Sequence, residues 1–305
     1  ITAITPLIPL NSYFSEGQFQ TVIEWKSSFN GGVSGGTGQQ NNSIRADYGL
    51  SDDLLFSFYF AEADDDYYNK INNQKSNYHW QTFAFSAKKK LLSIEKSKID
   101  LSVASSIEYW RSSSGSDDYK SIYNEQDNNP GKQKFDNVIG SLSLPFEKNI
   151  NKKIRISLVP GLVLLPNKFG SKSNSNNAYG KNFYLGTGIF FELSPDINLL
   201  GSYTYPLGPG KNSFDKDLNL SKEPIYSYGI NWNVNKKISF QGNITNGFGS
   251  TPATGILTIP SDNLNLYTLN LKYTPNHFED TPLKDFDAKD YLMSFGGLTV
   301  NNALI

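Results

Sequence analysis

The sequence contains no cysteine, one methionine and two histidines among 305 residues. The missing cysteine excludes disulfides, a thiolate nucleophile and Cys-ligated zinc. Scarce histidine leaves few places for imidazole chemistry. No run of roughly 18 apolar residues occurs, which excludes a membrane-spanning helix. Neither sign of charge dominates: 28 Lys and Arg stand against 29 Asp and Glu, a net charge of −1. No overall field would therefore recruit nucleic acid. Mean hydropathy is negative, but this says nothing against spanning strands, which are apolar on one side only.

Aromatic residues are abundant, and Phe (20) and Tyr (18) far outnumber Trp (4). They fall into alternating patterns. Residues 191–205, FELSPDINLLGSYTY, show the scheme. Two alternating runs flank Ser194-Pro195-Asp196, the pattern of a tight β-hairpin. Twelve such segments follow one another, each with an apolar or aromatic face and a small or polar one. The first sets Phe19, Ile23, Trp25 and Phe29 against Gln20, Glu24, Lys26 and Ser28. The eleventh sets Ile238, Phe240, Ile244 and Phe248 against Ser239, Gln241, Asn243 and Thr245.

The connectors are more informative than any one segment. Five are short: 51–53, 93–98, 148–152, 194–196 and 235–237. Six are long and polar, roughly 30–41, 64–77, 113–134, 167–181, 208–223 and 249–263. Short and long alternate strictly, as expected of an up-and-down meander with turns at one end and loops at the other. The polar face carries mostly Ser, Thr, Asn, Gly and Ala, which suits a confined, hydrated interior. A β-sandwich or jelly roll with a water-facing side would carry more Lys, Glu and Arg. The expected fold is therefore all-β: a closed antiparallel transmembrane β-barrel of twelve strands over 18–273, with a periplasmic lead-in at 1–17 and a tail at 274–305. The sequence opens on Ile1, so a signal peptide is expected either to have been removed or to lie outside the given sequence.

On this architecture the chain resembles bacterial outer-membrane β-barrels, small porin-like ones in particular. Its last segment, Asn265–Tyr273, is similar to the aromatic-ended final strand read by the barrel-assembly machinery. It departs from that pattern because 32 residues follow. The resemblance implies a bacterial outer-membrane location, contact with outer-membrane lipid and lipopolysaccharide, and homo-oligomerisation; no cofactor and no nucleic-acid partner are implied.

Eight charged residues fall on the predicted lumen face: Glu24, Lys26, Arg45, Asp47, Glu108, Arg155, Glu192 and Lys272. Four of each sign imply weak ion selectivity or internal ion pairs. Trp25, Tyr48, Tyr109, Phe146, Tyr203, Tyr226, Trp232 and Tyr273 suit girdles at a lipid interface. The acidic cluster Glu62, Asp64, Asp65 and Asp66 is a weak Ca²⁺ candidate without EF-hand spacing; a solvated loop tip is the favoured explanation. The glycine-rich stretch 31–38 lacks the Lys-Ser/Thr of a phosphate-binding loop. Membrane-embedded phospholipases resemble such a barrel in strand number, but carry His-x-Ser-Asn-Gly. Here His79 is followed by Trp80-Gln81-Thr82, so that motif is absent. The expected function is passive diffusion of small hydrophilic solutes or ions. The alternative is a non-channel barrel (adhesin, receptor, or polysaccharide-export or envelope protein) acting through its long loops. A barrel enzyme acting on lipid or polysaccharide is the remote third.

Overall fold

A computed structural model describes residues 17, 19–27, 41–63, 78–94, 99–115, 121, 132–167, 179–215, 219–235, 237–258 and 265–275. The strands are β1 (Phe19–Ser27), β2 (Asn41–Ser51), β3 (Leu54–Ala63), β4 (Tyr78–Ile94), β5 (Ile99–Ser114), β6 (Gln133–Ser143), β7 (Phe146–Asn149), β8 (Ile154–Leu164), β9 (Lys181–Ser194), β10 (Ile197–Pro209), β13 (Ile225–Asn233), β14 (Ile238–Thr245) and β15 (Leu266–Tyr273). Between β10 and β13, the two-residue strands β11 (Ser213–Phe214) and β12 (Leu220–Ser221) form a separate small ribbon.

Each strand pairs antiparallel with its neighbours, and β1 pairs with β15, so the sheet closes. The strands β6 and β7 are two halves of one barrel strand. Both pair with β5 on one side and β8 on the other. They are split at Leu144-Pro145, where Pro145 has no N–H for the ladder. Its carbonyl still accepts from the Ser102 N–H at 3.0 Å. Counting that pair once gives a closed barrel of twelve antiparallel strands, as the alternation predicts.

Short turns close with side chains suited to them. Asn151 Oδ1 accepts from the N–H groups of Lys153 and Ile154 at 2.8 Å, and Asn235 Oδ1 does the same for Lys237 and Ile238 at 2.8 and 2.9 Å. Between β2 and β3, the Ser51 hydroxyl donates to Asp53 at 2.5 Å, and this bond holds the Asp53 carboxyl below its ordinary range. The lead-in at 1–16 and the tail from 276 lie outside the described residues.

Polarity is the reverse of a soluble domain. Every barrel strand presents large apolar side chains to the outside, among them Phe58, Phe83, Ile107, Val138, Ile189 and Trp232, each half exposed or more. The inside carries Gln20, Asp47, Asn231, Gln241, Asn243 and Asn270, all buried. This is the architecture of outer-membrane barrels: closed, antiparallel, even in strand number, apolar without and polar within.

Candidate functional site

The lumen is built row by row, because paired residues on neighbouring strands lie at one level and point the same way. One row runs Asn198–Asn231–Gln241–Asn270–Glu24–Ser43 across six strands. Another, nearer the short turns on β1, runs Lys272–Val22–Arg45–Tyr59–Ala84–Glu108. Amides therefore line one wall and charges cross to the other.

The amides bond along their own strands: Asn231 donates to Asn233 at 2.9 Å and Gln241 to Asn243 at 2.8 Å. Asn243 in turn donates to the Thr268 hydroxyl at 2.7 Å. Arg45 pairs with Asp47 at 2.9 Å, and its guanidinium lies 5.7 Å from the Tyr59 ring centroid. Glu24 accepts from the Ser43 hydroxyl at 3.2 Å. Arg155 donates to Asn149 at 2.6 Å and stands 3.8 Å from Glu147. Among the described residues, the buried Asp, Glu, Lys and Arg side chains are Glu24, Asp47, Glu108, Glu147, Arg45, Lys88, Arg155 and Lys272, four of each sign.

Six of the eight charges expected on the lumen face are in that set. Glu192 is half-buried in the lumen phase near the short-turn end of β9, and the Lys26 side chain lies outside the described residues. Lys88 and Glu147 were missed, although both were readable. Lys88 continues the phase of Thr82, Ala84 and Ser86. Glu147 keeps the phase of Ser141 and Ser143 across Pro145.

The long-loop half of the lumen is a surprise. It holds an apolar core rather than open polar space. Trp80 and Trp110 pack in a tilted arrangement with ring centroids 4.8 Å apart, and Phe135 packs edge-on to Trp110 at 5.2 Å. Phe248 meets Trp80 edge-on at 5.4 Å. Phe248 does not continue the outer face of the eleventh segment, as its alternation predicts, but is buried inside. Strand β14 ends at Thr245, and the chain then turns inward. Phe248 is fully buried, along with Ala253, Ile256 and Leu257. Burying one Phe side chain removes it from water at a gain of roughly 1.5–3 kcal/mol, which favours the inward path.

Residues 246–258 thus form a plug. A bridge between Gly247 and Thr258 closes its base, with the Phe248 N–H donating to the Leu257 carbonyl at 2.8 Å. A short 3-10 turn, Thr254–Ile256, forms its tip. Two side chains hold its base: Asn41 donates to the Phe248 carbonyl at 2.7 Å, and Asn212 donates to the Ile256 carbonyl at 2.8 Å. At the tip, Glu108 of β5 accepts from the Thr251 hydroxyl at 2.5 Å and the Ala253 N–H at 2.6 Å. The Ser106 hydroxyl donates a third bond to Glu108 at 2.7 Å. A buried carboxylate needs such donors, since leaving it bare is very costly.

The aromatic residues expected at interfaces all lie on the outer face. Tyr48, Phe146, Trp232 and Tyr273 are near the short-turn end; Trp25, Tyr203 and Tyr226 are toward the long loops, and Tyr109 is one level below the polar rim. Tyr226 donates to Asn265 through its hydroxyl. The weak calcium cluster is not assembled among the described residues: Glu62 accepts from His79 at 2.9 Å and Gln81 at 2.7 Å, while Asp64, Asp65 and Asp66 lie outside them. That Glu62–His79 contact is on the outer face of the sheet, whereas Glu24, Asp47, Glu108 and Glu147 are in the lumen phase.

No protein-family model matches the chain. No curated protein matches it either. Solved structures that it resembles include the KdgM porin, at 8% identity and a TM-score of 0.49, covering 83% of this chain and 98% of that one. The NanC porin is similar at 6% identity and a TM-score of 0.47, covering 84% and 98%. A FadL homologue of Pseudomonas aeruginosa is similar at 8% identity and a TM-score of 0.47, covering 90% and 98%.

Proposed function

We propose that the protein is an outer-membrane channel for small hydrophilic solutes or ions, gated from within by residues 246–258. The observation that carries this reading is the plug itself: a polar lumen wall blocked at one end by a loop whose tip is held by one buried carboxylate, Glu108. Its membrane setting is supported by the apolar belt on all twelve strands, because soluble monomers expose apolar patches of only a few hundred Å². Short turns then face the periplasm and long loops the exterior, with lipopolysaccharide as neighbour and the assembly machinery reading β15. The balanced lumen charges favour a weakly selective path.

A second reading is favoured by the aromatic packing around Phe248: a permanently closed barrel that works as an adhesin, receptor or envelope protein through its loops. Single-channel recording in a planar bilayer separates the two. The wild-type barrel is expected to open rarely, and Glu108→Ala to give frequent, regular steps. Silence from both folded proteins would overturn the channel reading and leave the second. Neither reading makes the protein an enzyme.

A further inference from the structure

The plug is an imperfect occupant of the space it fills. Its tip brings two hydroxyls, Thr251 and Thr254, 2.6 Å apart. Thr251 and the Ala253 N–H supply two of the three hydrogen bonds to Glu108. Its ring, Phe248, lies edge-on to Trp80. Beside these contacts, two buried polar atoms have no hydrogen-bond partner among the described residues. One is the indole N–H of Trp110, a residue 1% exposed; the other is the Ser250 hydroxyl of the plug itself. A buried donor left bare is unfavourable. Trp80 is not in that position, because its indole N–H donates to Thr82 at 2.8 Å.

The wall behind the plug has a definite chemistry. Trp80, Trp110 and Tyr179 form an aromatic series, the last two with centroids 6.1 Å apart and planes 28° from parallel. The register row of Trp110 runs through Thr82, Ala61, Ser43 and Glu24 to Asn270, Gln241 and Asn231. There both polar atoms of Asn270, the Gln241 Oε1 and the Asn231 Oδ1 are also buried without a partner among the described residues. Aromatic faces are negative and attract polarised C–H bonds. Amides, a carboxylate and an indole N–H accept from or donate to hydroxyls.

A sugar ring answers each feature. Its C–H face replaces the Phe248 ring. Neighbouring hydroxyls replace the Thr251 hydroxyl and the Ala253 N–H at Glu108, and a sugar oxygen accepts from Trp110. A carboxylated sugar would be repelled by Glu108, whose three donors are all uncharged. A quaternary ammonium would suit the rings but has no acceptor for the Trp110 N–H.

We infer that the plug occupies an uncharged-saccharide site lined by Trp80, Trp110 and Glu108, and that a saccharide opens the channel by competing with residues 246–258 for it. The inference rests on the channel reading above and deepens it, naming the solute class and what moves the gate. A ligand that binds only the plug-free lumen shifts the barrel toward the open state.

The full chain is refolded in a detergent without a sugar head and titrated with maltose by calorimetry. Gly249→Val expels the plug without altering a side chain of the site. Wild-type affinity is scaled down by its plug-free fraction, so Gly249→Val is expected to bind maltose at least about tenfold more tightly. In that background Trp110→Phe keeps a ring and drops the N–H, and is expected to weaken binding about three- to tenfold. Phe248→Leu loosens the plug's hold on Trp80 with the backbone intact. In a planar bilayer, maltose is expected to raise the wild-type open probability, and Phe248→Leu to lower the maltose concentration at half-opening. Choline or glucuronate at the same concentrations is expected to have no such effect. Variants that conduct but neither bind nor respond to maltose would overturn this inference and leave the channel reading standing, as would an equal response to choline or glucuronate. Silence of every folded variant would overturn the channel reading, and this inference with it.

Discussion

Glu108 and Thr251 are 143 residues apart in sequence and 2.5 Å apart across the barrel. Their hydrogen bond joins the wall of the lumen to the loop that fills it. Hydrogen bonds to charged groups contribute roughly 1.5–3 kcal/mol each. Two of the three donors to Glu108, the Thr251 hydroxyl and the Ala253 N–H, belong to the plug. Removing the carboxylate in Glu108→Ala should therefore loosen the plug by roughly 3–6 kcal/mol before any relaxation. The expected outcome is a raised open probability in single-channel records. Thr251→Val removes one bond only and should give an intermediate effect.

Gly249 offers an independent route to the same state. A Cβ at that position would stand 2.1 Å from the Thr254 carbonyl oxygen. Backbone cannot give way as a flexible side chain can, so Gly249→Val is incompatible with the inward fold of the tip. The variant should still assemble, since Gly249 lies outside the barrel strands. Its expected phenotype is the Glu108→Ala phenotype without any change of charge, checked by conductance and by protease access to 246–258. A closed channel in Gly249→Val would mean that the loop is not the gate.

The barrel was legible because its two signals are local. Alternation fixes which face each residue takes, and loop length fixes which end it lies at. Lys88 and Glu147 could have been read by extending the phase of β4 and β6 by one step. The plug could not. Gly247, Phe248 and Gly249 read as a strand end running into a loop, and nothing near them in sequence signals that Phe248 meets Trp80 or that Thr251 meets Glu108. Trp80 and Trp110 carry a partial hint. Each sits in the polar phase of its strand, where a large indole is out of place unless something packs against it. Part of that something is Phe248, which is far away along the chain, and single-sequence patterns do not report such contacts.

Gly161 and Tyr184 make a further prediction about the wall itself. They are paired between β8 and β9, and a Cβ on Gly161 would lie 2.2 Å from the Tyr184 ring. The ring therefore lies over the glycine, filling space where a side chain would stand. Gly161→Val should displace it at a cost of roughly 1–3 kcal/mol, the usual range for overpacking. The measurement is the urea midpoint of unfolding in detergent. Tyr184→Ala in the Gly161→Val background should recover part of the loss, because the clash goes with the ring.

Arg45 and Asp47 form a buried pair, 2.9 Å apart with side chains 5% and 1% exposed. Breaking a buried pair from one side leaves the other charge uncompensated, typically at 3–5 kcal/mol. Arg45→Met is expected to destabilise the barrel by about that amount, and Arg45→Met with Asp47→Asn by clearly less than the sum of the two single changes. A double-mutant cycle of unfolding midpoints checks this. Additive losses would show that the two side chains do not act as a pair.

The same arginine tests the lumen as a conduction path. Four buried cations and four buried anions are described, so no one sign governs the passage once the plug leaves. In the Glu108→Ala background, which removes one anion, reversal potentials in a KCl gradient should show at most a mild anion preference. Arg45→Glu in that background turns four cations and three anions into three cations and four anions. Arg45 is in the same row as Lys272, on the polar wall through which ions must pass. The reversal potential should therefore move toward cation preference, with Arg155→Glu moving it the same way from the β8 side. An unchanged reversal potential in both, with open channels, would place the conducting path away from these side chains.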